Sequence, residues 1–186
     1  MKIKIITPYF GAFPPYFALF LRSCAINSEV EFHIFTDQSA LPLCPQNVVV
    51  HELPFSVLRA LMQKKLGLRD KALRVLTPYK LCDCKPAYGV IFEDHLQDAD
   101  FWGFCDVDLI FGRIFDLLSM EEVQKSERVL TQGHLTLYRN SPRMNRLFEQ
   151  PLAGGIAFRR AIEIAEPCFF DEIFMPAICR AQGVIQ

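Results

Sequence analysis

A chain of 186 residues, 51% of them hydrophobic and 22% charged, has the balance of a globular domain and can bury about 70% of its unfolded surface in one core. The formal net charge of −1 offers no basic field for nucleic acid or anionic lipid, so those partner classes are set aside. Seventeen Phe residues make an aromatic core without forming a run near the ~20 apolar residues that cross a bilayer.

Ile3 to Thr7 reads as a first strand closed by Thr7-Pro8. With Lys2 and Lys4, the opening Met1 to Pro8 is too short and too charged for a secretory leader. Tyr16 to Asn27 has helical spacing through Phe17, Phe20, Leu21 and Cys24. Val30 to Thr36 alternates as a second strand ending at Asp37, followed by a polar loop with Pro42 and Pro45, and Val48 to Leu53 is a third strand. Phe55 to Leu66 is an amphipathic helix, and Lys64 to Arg74 reads as a basic, mobile stretch.

Tyr79 to Gln97 is a helical region interrupted at Pro86, and an aspartate-bearing strand follows at Phe101 to Asp106. A helix is expected over Ile114 to Lys125, a strand over Arg128 to Tyr138, a helix over Pro142 to Phe148 and helical structure over Phe170 to Arg180. Alternating strands and helices predict a single α/β domain over residues 1–186, with a mainly parallel sheet flanked by helices on both faces. Ligands of such sheets bind beyond the carboxyl ends of the strands, where Thr7-Pro8-Tyr9, Asp37 and Asp106 to Asp108 all fall.

The seven cysteines follow no framework spacing, and Cys82-Asp83-Cys84 lacks the two-residue gap of zinc and redox pairs. They read as reduced, mostly buried side chains of a cytoplasmic protein.

Chemistry concentrates in Cys105-Asp106-Val107-Asp108. In a strand, side chains two apart share a face, so both carboxylates are expected at one point. Burying an unpaired carboxylate costs several kcal/mol. A hard divalent cation with its own anionic ligand would satisfy the pair. The structural alternative is that Asp106 ends the strand and Asp108 caps the next turn.

This apolar strand with Asp-x-Asp resembles the metal motif of nucleotide-sugar glycosyltransferases with the GT-A fold. The chain is similar to an uncharacterised bacterial group thought to include polysaccharide-assembling glycosyltransferases, through a series of stretches in order. These are Ile5 to Gly11, Phe35-Thr36-Asp37, Tyr79 to Gly89, Phe101 to Gly112, Gly133 to Asn140 and Phe170-Asp171-Glu172. The resemblance implies a Rossmann-like GT-A sheet and transfer of a sugar from a nucleotide-diphosphate donor, a UDP-sugar foremost, to a glycan or lipid-linked acceptor. It also implies sequence beyond Phe170-Asp171-Glu172, so the acceptor region is expected to be incomplete. No membrane span is expected, while a lipid-linked acceptor is compatible with contact at a membrane surface.

In that reading Asp108 and Asp106 hold Mn²⁺ or Mg²⁺, and Asp106 also touches the donor's ribose. Thr7, Pro8, Tyr9 and Asp37 line the nucleotide pocket. Lys85, fixed by Pro86, supplies charge to the diphosphate, with Lys80 and Asp83 as neighbouring candidates. His134 binds acceptor or approaches the metal, and Asp171 or Glu172 is the base that deprotonates the acceptor hydroxyl.

Each role has a structural counterpart. Asp37 and Pro8 are ordinary turn residues, Lys80 and Lys85 suit a solvated helix face, His134 suits a strand edge and Asp171-Glu172 suits a helix start. Two other functions compete. One is a Mg²⁺-dependent phosphohydrolase of HAD type with Asp106 as nucleophile, although Leu109-Ile110 replaces the small and hydroxyl residues expected there. The other is a non-catalytic nucleotide-binding remnant.

Overall fold

A computed structural model describes residues 1–39, 44–131 and 133–186. Pro42 of the predicted polar loop lies outside the described residues. Six strands form one sheet: β1 (Ile3–Pro8), β2 (Val30–Thr36), β3 (Val48–Glu52), β4 (Phe101–Cys105), β5 (Arg128–Val129) and β6 (Leu135–Arg139). Their order is β3-β2-β1-β4-β6-β5. β1 pairs in parallel with both β2 and β4, and β2 with β3, whereas β6 runs antiparallel to β4 and to β5.

The fold is therefore α/β with a mixed sheet. The expected single strand over Arg128 to Tyr138 is instead two short strands around a turn. An unbroken run of that length would extend roughly 36 Å, well beyond its five-residue neighbours β4 and β6. Leu130, at φ 61°, starts the reversal.

Apolar side chains alternate to the two faces. Ile3, Ile5, Phe32, Ile34, Phe101 and Cys105 pack against α1 (Phe17–Ala25). Ile6, Phe35, Trp102, Phe104 and Tyr138 face a second layer containing α2 (Phe55–Leu66) and the C-terminal helical segments. Both faces are thus covered, as expected for the parallel part of the sheet. Gly103 is required where β4 meets β6, since a Cβ there would lie 2.4 Å from the Thr136 carbonyl oxygen.

The stretch read as mobile is ordered instead. α2 runs to Leu66 and stops at Gly67, whose φ of 60° is the left-handed conformation that closes helices. Next comes α3 (Asp70–Val75), which buries Ala72, while Leu68 and Leu76 on either side join the same core. Its lysines and arginines occupy only the outer face.

A 3₁₀ segment (Tyr79–Ala87) then runs into α4 (Tyr88–Ile91), in place of a helix broken at Pro86. The helix expected over Ile114 to Lys125 is divided into α5 (Ile114–Leu117) and α6 (Met120–Lys125). Ser119 divides them, because its hydroxyl accepts from the Glu122 amide and caps α6. Likewise, the helix expected to Phe148 is α7 (Pro142–Asn145) followed by a 3₁₀ turn. α8 (Phe158–Ala161), a π-helical turn (Phe170–Phe174) and α9 (Met175–Ala181) complete the chain. Among the described residues no helix is long and apolar enough to cross a membrane.

Candidate functional site

The strand order reverses direction at β1, which has β2 on one side and β4 on the other. Adjacent parallel strands whose connections leave in opposite directions open a crevice at their carboxyl ends. A cleft of about 390 Å³ lies there, lined by residues that include Thr7, Pro8, Tyr9, Lys85, Asp106, Asp108, Asp171 and Glu172. A hollow of about 370 Å³ adjoins it under Pro8, Tyr79, Cys82 and Lys85.

β1 brings Thr7 to the cleft on the α1 face, where its hydroxyl and the Cys105 thiol are 3.3 Å apart. Tyr9 stacks on Phe13, and Phe13 on Phe17, so an aromatic column anchors the cleft wall to α1. β4 ends at Cys105, so Asp106 and Asp108 sit in the turn beyond it. The expectation that strand alternation alone would align them is thereby corrected. Val107 is buried between them and pins the turn, while Asp108 is exposed.

The antiparallel strand β6 has a direct consequence here. The Asp106 amide donates to the His134 carbonyl at 3.0 Å, extending the β4–β6 ladder by one step. That register places His134 Nδ1 3.3 Å from Asp106 Oδ2. Had β6 run parallel, its first residues would lie at the opposite end of β4.

Lys85 stands at the centre. Its ammonium is 2.8 Å from Asp106 Oδ1 and 3.3 Å from Asp171 Oδ2, and it donates to the Gly133 carbonyl at 3.0 Å. The side chain is nearly buried, and the two carboxylates outweigh that desolvation and hold its pKa above the ordinary lysine value. Asp171 is 2% exposed, and burial raises its carboxyl to about 6 although Lys85 opposes the shift. Its Oδ2 receives no well-aligned hydrogen bond among the described residues.

Glu172 is exposed beside it and lies over Gly133, where a Cβ would come within 2.4 Å of the Glu172 side chain. Asp108 makes no hydrogen bond or ion pair among the described residues. The turn-cap alternative for it is therefore not realised there.

Two of the residues expected near the donor, Lys80 and Asp83, play another part. Lys80 and Asp83 are 1% and 0% exposed, form an ion pair of 2.6 Å and do not line the cleft. Neither a donor-binding role nor a solvated helix face fits that placement. Asp83 accepts from the Cys168 amide at 2.9 Å and the Phe170 amide at 2.8 Å. These bonds straddle Phe169, whose φ of 52° is a left-handed backbone conformation rare for a bulky residue. The strained residue is thus held by a buried carboxylate, and the π-helical turn it opens presents Asp171 to Lys85.

Asp37 does not line the cleft. Its carboxylate accepts from the Gly11 amide at 2.9 Å and from Gln38, fastening the loop after β1, and those hydrogen bonds keep its pKa low. Tyr16, Tyr79, Cys82 and Phe169 line the cleft without having been assigned roles from the sequence. Tyr79 is 72% exposed and Phe169 46%. For Tyr79 a signal existed, since it opens the Tyr79–Gly89 stretch, but nothing local marks Tyr16 or Phe169.

A family model described as "Family of unknown function (DUF6625)" matches residues 5–185. The chain belongs to that family. The matched span contains every cleft residue of this DUF6625 member, from Thr7 to Glu172. No curated protein and no solved structure matches the chain.

Proposed function

We propose that this protein is a metal-dependent glycosyltransferase of GT-A type, taking a nucleotide-diphosphate sugar as donor and a glycan or lipid-linked hydroxyl as acceptor. One observation carries the reading: among the described residues, four carboxylates (Asp106, Asp108, Asp171 and Glu172) share a cleft at the switch point with one ammonium, Lys85. Such a cleft repels a diphosphate unless a cation enters with it.

The donor set suits Mn²⁺ or Mg²⁺, since the carboxylate oxygens of Asp108 and Asp106 are hard ligands. His134 beside Asp106 adds an imidazole that Mn²⁺ tolerates better than Mg²⁺. When bound, the metal would supply Lewis-acid neutralisation of the departing nucleoside diphosphate.

The chain's own residues supply the remaining functions. Lys85 orients Asp106 and offers positive charge to a phosphate oxygen. Tyr9, stacked on Phe13, and the exposed Tyr79 offer apolar faces to a nucleobase. Asp171, with its raised pKa, accepts the proton of an acceptor hydroxyl, and Glu172 lines the entry beside it. A cytoplasmic setting accords with seven free cysteines.

Calorimetry with UDP tests the proposal. Mn²⁺ should tighten UDP binding at least tenfold relative to chelated protein, and Asp108→Asn should abolish that gain while leaving the thermal midpoint nearly unchanged. Binding of equal strength with and without metal would overturn it.

A further inference from the structure

A second cluster of chemistry lies away from the cleft, on the opposite flank of the sheet. His33 on β2, His51 on β3 and His95 in the 3₁₀ turn before β4 each offer a ring nitrogen, and these three nitrogens lie within 4.8 Å of one another. None of the three lines the cleft or its adjoining hollow. The topology makes the juxtaposition. His33 and Phe35 point to one face of β2, and Phe35 is paired with His51 across the parallel β2–β3 ladder. The His51 ring stacks on Phe35 at 4.4 Å, and His95 meets both His51 and Phe35 edge-on at 4.6 and 5.1 Å.

We infer that His33, His51 and His95 form a binding site for a divalent transition metal of borderline softness, with zinc the representative, separate from the cleft. Imidazole nitrogens select such ions over Mg²⁺ or Ca²⁺. Tetrahedral zinc with bonds of about 2.0–2.1 Å sets its nitrogens roughly 3.3 Å apart. His33 Nδ1 and His51 Nε2 are hydrogen-bonded at 2.9 Å, a contact whose proton a metal would displace, and all three ligand nitrogens lie within 4.8 Å of one another.

The surroundings also favour a metal over plain stacking. Glu31 Oε1 lies 2.5 Å from His33 Nε2. A carboxylate on the outer ring nitrogen fixes the tautomer and turns the inner nitrogen's lone pair toward a metal. Burial lowers the basicity of all three rings, with neighbouring imidazoles adding to it at His51, which falls to about 4, and at His33, so the uncharged form that can ligate is favoured.

Lys4 is the opposing charge. Its ammonium is 2.7 Å from Asp98 and 3.4 Å from Glu31 and donates to the His95 carbonyl, so it is neutralised where it stands. His33 is buried, while His51 and His95 are half-buried, and water would supply the fourth ligand. Bound metal would tie the edge strand β3 to the segment leading into β4.

The test uses the full chain carrying Asp108→Asn, which silences the cleft, titrated with Co²⁺ and Zn²⁺ in the absence of nucleotide. One equivalent should bind, without a sulfur-to-cobalt charge-transfer band, and Zn²⁺ should raise the thermal midpoint. His51→Gln and His95→Gln, at half-buried positions, should each weaken binding at least tenfold and erase the thermal shift. Glu31→Gln should weaken it by about tenfold through the orientation of His33. Unchanged affinity in both histidine variants, a cysteine-derived band or no binding at all would overturn the assignment.

Discussion

Replacing Asp83 with alanine is expected to lower stability by about 3–5 kcal/mol, the range for breaking a buried ion pair by removing one partner. For a domain of this size that is a fall of roughly 6–20 °C in thermal midpoint. The cause is the number of groups one carboxylate serves. Lys80 Nζ, 1% exposed, loses its counter-charge and keeps only the Glu166 carbonyl at 2.6 Å and the weakly accepting Cys168 sulfur. The amides of Cys168 and Phe170 lose their acceptor as well. Phe169, between them, would then be free to leave its left-handed conformation.

Because that strap sets the π-helical turn, the loss should extend to the contact between Asp171 and Lys85. Asp83→Asn keeps the size and part of the hydrogen bonding and should cost less than Asp83→Ala. Chemical and thermal denaturation of both variants provide the measurement. A loss below about 1 kcal/mol for Asp83→Ala would mean that the strap is held by other contacts.

On the proposed function, Asp171→Asn should reduce sugar transfer, or hydrolysis of the donor in the absence of acceptor, by about 10²–10⁴-fold, the usual contribution of a positioned general base. The same variant should be more stable than the parent at pH 8. Folding raises the Asp171 carboxyl to about 6 by burying it. Between roughly pH 4 and 6 the folded chain therefore binds more protons at this group than the unfolded chain does, and stability falls as pH rises. Above pH 6 the buried carboxylate is a net cost, on the order of 1–3 kcal/mol, which an amide of the same shape removes.

Activity should rise with pH through the Asp171 titration, since only the carboxylate accepts a proton. A variant that gains stability while losing turnover marks a group kept for chemistry rather than for folding. If Asp171→Asn transferred at a parental rate, the base would have to be Glu172 or another group.

Much of the sheet was legible because its strands are short apolar runs bounded by turn residues. Ile3 to Thr7 and Val30 to Thr36 needed only periodicity, and the helix over Phe55 to Leu66 was framed by Pro54 and Gly67. Errors arose where a local signal was weaker than the apolar pattern around it. Ser119 with Glu122 three residues on is a capping signature, yet the apolar residues on either side suggested one continuous helix. The reversal starts at Leu130, a residue with no turn preference, and Gly133 alone was too weak a signal, so a hairpin read as one strand.

The cleft was legible for a different reason. Thr7, Pro8, Tyr9, Asp106 and Asp108 lie at or just beyond the carboxyl ends of neighbouring strands, which topology alone brings together. Lys85, Asp171 and Glu172 come from segments far from those strands in sequence. Only the resemblance pointed to them, and the structure brings them to the same cleft. Asp37 fits the strand-end rule equally well but closes a loop instead, because the Gly11 amide reaches it. The buried pair Lys80–Asp83 was hidden, since a lysine and an aspartate three apart read as surface residues. The three histidines were missed because they belong to separate elements, and no spacing along the chain marks their meeting.

The most direct measurement is a crystal of the chain soaked with Mn²⁺ and UDP, with the ion located by its anomalous scattering. One peak is expected within bonding distance of an Asp108 oxygen and of the diphosphate, in the cleft that also holds Lys85 and Asp171. Nucleotide bound elsewhere, or a cleft occupied by UDP with manganese absent from both aspartates, would contradict it.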